Sequence, residues 1–170
     1  MRRILLGLAL TLATLPAWAQ TRDANVAQCQ SDDPDISIAG CTALIQSGRE
    51  PPAVLAAVYY NRGRAEVAKG LNDQAITDLN DAIALTPNDN EAYDNRANAY
   101  LNKGLYDQAI VDFNKAIELK PDWDAHYNRG RAYETMGQRD QAIADYRAAL
   151  KFDPNDDNSQ QGLKRLGATP

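Results

Sequence analysis

The sequence predicts an all-α fold, a solenoid of stacked helix-turn-helix units. Three observations predict it. A four-residue signature recurs as Tyr60-Asn61-Arg62-Gly63, Asp94-Asn95-Arg96-Ala97 and Tyr127-Asn128-Arg129-Gly130. Punctuation recurs with it, at Gly70, Gly104 and Gly137 and at Pro87, Pro121 and Pro154, the prolines 34 and 33 residues apart. Between them runs one apolar pattern: Ala75, Ile76, Leu79, Ala82, Ile83, then Ala109, Ile110, Phe113, Ala116, Ile117, then Ala142, Ile143, Tyr146, Ala149, Leu150. That spacing puts all five residues of a set on one helical face. A period of this length marks units that bury a continuous core only by stacking.

The first residues read as an export leader. Arg2 and Arg3 are a positive start, Ile4 to Leu15 is apolar, Pro16 breaks the run, and Ala17-Trp18-Ala19 is a small-x-small cleavage site. The apolar run is too short to span a bilayer, which takes about 20 residues. Residues 1–19 are therefore expected to be removed after Ala19, with no stable membrane insertion afterwards. The mature chain is expected in the periplasm or secreted.

Residues 20–55 read as a degenerate helical hairpin. Asp33-Pro34 is an N-cap followed by a first-turn proline. Ile38, Cys41, Leu44 and Ile45 form a stripe, and Gly48 stops it. A short helix over about 23–30 precedes it and carries Cys29. The two cysteines have no other partner in the chain. In an oxidising compartment they predict a Cys29–Cys41 disulfide; the alternative is a thiol redox pair, which lacks the C-x-x-C spacing.

Three units follow over 56–89, 90–122 and 123–156. In each, the glycine ends the first helix in a left-handed cap. Asp73, Asp107 and Asp140 open the second helix as caps or first-turn acids. Alanines allow close helix approach, and Leu79, Phe113 and Tyr146 fill the space between. Residues 157–170 carry Leu163 and Leu166 on one face and read as a capping helix, since an array must cover its terminal apolar face.

This pattern resembles the tetratricopeptide repeat (TPR). Its aromatic, Gly/Ala, Tyr, Ala, aromatic, Ala, Pro order is met in unit two by Tyr93, Ala97, Tyr100, Ala109, Phe113, Ala116 and Pro121. Unit one departs at Glu66, where a large apolar residue is the norm, and unit three has His126 in place of Tyr59 and Tyr93. The segment with Cys29, Cys41-Thr42 and Ser47-Gly48 is similar to the start of secreted alphaproteobacterial TPR proteins.

The resemblance implies a peptide-binding groove lined by the first helix of each unit. Asn61, Asn95 and Asn128 recur there and could each offer a donor and an acceptor to a peptide main chain. The alternative is that these amides bond within the scaffold. Tyr60 and Tyr127 are groove-facing aromatics, and Arg64 and Arg131 lie one turn further on as candidate contacts for an acidic or C-terminal group. The family's clamp for a C-terminal carboxylate is met only at Asn95; its other positions hold Tyr60, Arg64, Asp124 and Asn128. Arg62, Arg96 and Arg129 are expected in pairs between units, Asp78 with Arg96 and Asp112 with Arg129.

Composition narrows the function. The chain has 170 residues, 18 Lys+Arg against 23 Asp+Glu, and a net charge of -5. Leader removal makes it more acidic still, which argues against a nucleic-acid partner. One histidine, no nucleophile motif and no phosphate loop argue against an enzyme, a cofactor or a metal site. The expectation is a non-catalytic exported scaffold that binds a peptide segment of an envelope partner. The alternative is a structural solenoid that self-associates.

Overall fold

A computed structural model describes residues 17–170, with side chains from Thr21. The leader residues up to Pro16 lie outside the described residues. The proposed cleavage point after Ala19 falls in the first turn of the first helix.

The helices are α1 (Ala17–Cys29), α2 (Pro34–Ser47), α3 (Pro52–Ala68), α4 (Asn72–Leu85), α5 (Asn90–Asn102), α6 (Tyr106–Leu119), α7 (Trp123–Thr135), α8 (Arg139–Phe152) and α9 (Asp157–Arg165). No strand occurs among the described residues. No helix of the described residues is long and apolar enough to cross a membrane. α1 begins earlier than the sequence suggested. The rest of the helix order follows the punctuation. Gly70, Gly104 and Gly137 all take positive φ, near 74°, which only glycine adopts cheaply. Each second helix ends two residues before its repeat's proline.

Consecutive helices pack as hairpins, α3 with α4, α5 with α6 and α7 with α8. Between units, α3 touches α5 and α5 touches α7, while α4, α6 and α8 do not touch one another. First helices set close and second helices splayed apart make a curved array, with α3, α5 and α7 on its inner side. Each hairpin is plugged by one large side chain: Leu79, Phe113 and Tyr146 are all 0% exposed. At Gly63 an added Cβ would come within 2.7 Å of Leu79, and at Gly130 within 3.0 Å of the Tyr146 ring. The glycine of the first and third signatures is thus set by the plug opposite it.

The arginine pairs differ from expectation. Arg62 grips Asp78, Arg96 grips Asp112 and Arg129 grips Asp145, each through Nε and Nη2 to the two carboxylate oxygens at 2.5–2.8 Å. These pairs lie within a unit, not between units. A 16-residue separation brings the two helices of one hairpin together at that level, and each aspartate is only 4% exposed. The third nitrogen makes the link between units: Nη1 donates to Thr42, Asn80 and Asn114 of the preceding second helix at 3.1, 2.6 and 2.5 Å. His126 joins the third pair, with Nδ1 3.1 Å from Asp145 Oδ1 and its ring stacked on Phe152.

Both ends are secured. Cys29 and Cys41 form a disulfide, with Cα atoms 4.5 Å apart. Behind it, Arg22 donates twice to Glu50, at 2.8 and 2.7 Å. Asp33 caps α2 as anticipated. At the other end α9 covers unit three with Leu163, which is fully buried. Arg165 grips Glu134 at 2.9 Å through two nitrogens, and Tyr146 Oη donates to the same carboxylate at 2.5 Å.

Candidate functional site

The sequence-predicted residues lie on α3, α5 and α7, and most of them are engaged within the fold. Tyr60 reaches from α3 to α5 and donates its hydroxyl to Glu91 Oε2 at 2.8 Å. Burial first, then that bond, raise the phenol above its ordinary range. Tyr127 packs against the Tyr146 ring with centroids 5.9 Å apart, and the Arg131 guanidinium lies over it at 5.7 Å. Both tyrosines are therefore held in fixed positions, which lowers the entropy a ligand must overcome.

The three asparagines are not equivalent. Asn128 is 7% exposed. Its Nδ2 donates to Asp124 Oδ1 at 3.1 Å, and its Oδ1 accepts from Arg131 Nη1 at 3.2 Å. Asn95 donates to the Glu91 carbonyl of its own helix at 2.9 Å and keeps its oxygen. Asn61 makes no hydrogen bond among the described residues, and Arg64 makes neither a hydrogen bond nor an ion pair there. A uniform amide ladder is absent; Asn61 and the Asn95 oxygen remain open.

The sequence reading missed the middle of the face. Asp94 occupies the repeat position of Tyr60 and Tyr127. Its Oδ2 accepts from Asn98 at 3.0 Å. Its Oδ1 is sealed from solvent and has no partner. Burial first, then the charges of Asp124 and Asp122, push its carboxyl up to about 7, against the Asn98 bond that favours ionisation. Asp124 is raised too, by burial and then by Asp122. The break in the Tyr, Asp, Tyr series was the signal available in the sequence. The inner face is thus an acidic centre, Glu91, Asp94 and Asp124, flanked by Arg64 and Arg131.

Among the described residues no three His, Cys, Asp or Glu side chains gather as a metal site. The arrangement offers charge, hydrogen bonding and aromatic surface.

Comparison with known proteins follows the same lines. The tetratricopeptide repeat pattern matches residues 91–122 and 123–156, and a TPR repeat pattern matches residues 63–104. Together these reach over more than half of the chain. No curated protein sequence matches significantly. Among solved structures, the TPR domain of Arabidopsis OM64 is 28% identical, with 69% of this chain and 98% of that one covered and a TM-score of 0.67. The second TPR domain of human RPAP3, solved in complex with the HSP70 peptide SGPTIEEVD, is 26% identical, covering 70% and 100% with a TM-score of 0.65. MamA of Desulfovibrio magneticus RS-1 is 20% identical, covering 88% and 82% with a TM-score of 0.75, a likeness of fold alone. With its repeats, glycine caps and helix pairing all in agreement, the chain belongs to the tetratricopeptide repeat family.

Proposed function

We propose that this chain is a non-catalytic, exported protein-interaction scaffold that binds an extended peptide segment of an envelope partner along its inner face. The leader pattern and the disulfide support the exported location, because disulfides persist in oxidising compartments. The similar RPAP3 domain supports peptide binding. The observation that carries the reading is the half-buried Asp94 carboxylate, whose Oδ1 has no partner, on the middle first helix between two tyrosines fixed by Glu91 and by Tyr146.

The charge of that centre selects the peptide. The RPAP3 peptide carries two glutamates and an aspartate. Here three carboxylates stand in the middle of the groove, and the clamp positions hold Asp124 in place of a lysine. A lysine or arginine of the partner would relieve the repulsion among Glu91, Asp94 and Asp124, while Asn61 and Asn95 take its main chain. Arg64 and Arg131 serve the flanks, where an acidic residue of the same segment would fit.

The test is fluorescence anisotropy with labelled peptides of equal length, one with a central Lys-Arg pair and one with Glu-Glu. The basic peptide is expected to bind with a salt-sensitive affinity, weakened about tenfold by Asp94→Asn, the ~1.4 kcal/mol equivalent of one lost charge contact. Tighter binding of the acidic peptide would refute the charge assignment. Basic-peptide binding that ignores both Asp94→Asn and Asn61→Ala would refute the groove. Terminal sequencing of the exported chain should begin at Gln20; retention of Arg2 and Arg3 would refute the leader.

A further inference from the structure

Unit one breaks its own repeat at a buried position. Glu66 stands where units two and three place Tyr100 and Tyr133. Those tyrosines pack on apolar cores. Glu66 is more enclosed than those half-buried tyrosines, at 6% exposure, but its side chain makes no hydrogen bond among the described residues. Its Oε2 is sealed from solvent without a partner. An unpaired buried carboxylate is costly, and native structures hold few of them.

The carboxylate lines a cavity of about 360 Å³ between α2, α3 and α4, with Ile38, Thr42, Arg62, Gln74, Thr77 and Asp78. Arg62 does not serve as its counter-ion. Its Nε and Nη2 grip Asp78 at 2.5 and 2.8 Å, and its Nη1 donates to Thr42 at 3.1 Å. The cavity therefore holds one committed guanidinium, its matching carboxylate and a second carboxylate left over. Ile38 gives it an apolar wall. Gln74 and Thr77 add oxygen acceptors.

We propose that this cavity binds a primary ammonium group on a short alkyl stem, with Glu66 as its counter-ion. An ammonium has three donors and no acceptor, which suits a carboxylate ringed by hydroxyl and amide oxygens. The alkyl stem matches Ile38. A metal ion is a poorer match, since no three metal-binding side chains gather among the described residues. The site is separate from the peptide groove. At 100° per residue, Arg62 and Glu66 lie on the opposite flank of α3 from Asn61 and Arg64.

Ionisation of Glu66 gives the site a pH signature. Burial first, then Asp78, raise its carboxyl to about 7, and Arg62 opposes them. α2 brings no titratable side chain to the cavity. An alkylammonium stays charged well above that pH. Binding should therefore strengthen as pH rises through 7, by about tenfold between pH 6 and 8.

The experiment is an NMR titration of the full chain with n-butylamine, against n-butanol as the uncharged analogue. Butylammonium at pH 8 is expected to shift amides around Thr42, Glu66 and Thr77, and butanol is not. Glu66→Gln should weaken binding at least tenfold. Glu66→Tyr, which restores the residue of the other units, should abolish it while the helical spectrum is kept. Nα-acetyl-lysine N-methylamide separates the sources. If it binds more tightly than butylamine, the natural ligand is a lysine side chain; if more weakly, a free amine. Equal shifts by butanol, or binding unchanged in Glu66→Gln, would overturn the proposal, as would an absence of shifts with butylamine at tens of millimolar.

Discussion

Asp94→Asn should stabilise the protein at neutral pH and not in acid. An aspartate in the unfolded chain titrates near 3.9. In the fold, burial and the charges of Asp124 and Asp122 carry Asp94 to about 7. The folded state therefore prefers the neutral carboxyl and binds more protons than the unfolded state between those values. Stability from this group is full below about pH 4, falls as pH rises, and levels off above pH 7. At about 1.4 kcal/mol per pH unit the ceiling is about 4 kcal/mol, and water reaching the groove brings the measured value to roughly 1–4 kcal/mol. Asparagine keeps the shape and cannot ionise. The assay is urea unfolding by circular dichroism at several pH values from 4 to 8.5, wild type against variant. The comparison matters, because Asp145 and Glu134 are held below their ordinary values by partners, Arg129 and Arg165 respectively, and lose stability in acid in both proteins. The variant's advantage should open between pH 4 and 7 and then hold constant. A pH-independent difference, or a variant less stable at pH 8, would refute the electrostatic account.

Two further outcomes follow from the packing. Reducing the disulfide, or replacing Cys29 and Cys41 by serine, opens a loop with a sequence separation of 12 and should cost about 3 kcal/mol; an unchanged urea midpoint with reductant would refute its role in the N-terminal hairpin. Arg96→Met strands Asp112 at 4% exposure and should cost about 3–5 kcal/mol. Adding Asp112→Asn should recover part of that loss, and a single-variant cost under about 1 kcal/mol would show the pair to be dispensable.

The sequence by itself determined the class of fold, the helix order and the ends. Each rests on local chemistry. A glycine cap, an aspartate N-cap and a five-residue apolar face act within a turn or two of chain, and repetition made them readable three times over. The alanines of each apolar face forecast the close approach of paired helices. The disulfide was legible because only two cysteines exist.

The tertiary structure decided the pairings and the charge of the groove. The signature arginines and the aspartates recur with the same period, so sequence could not say whether a pair closes within a unit or between units. Only the level at which two helices meet places Arg96 on Asp112 and its spare nitrogen on Asn80. The asparagines recur as identical letters, yet Asn128 is engaged by Asp124 and Arg131 while Asn61 is open. Glu66 read as a small departure from the repeat, and Asp94 passed unremarked within its signature. Burial left one oxygen of each without a partner, because the cost of a charge depends on what surrounds it in space and not on its place in the period.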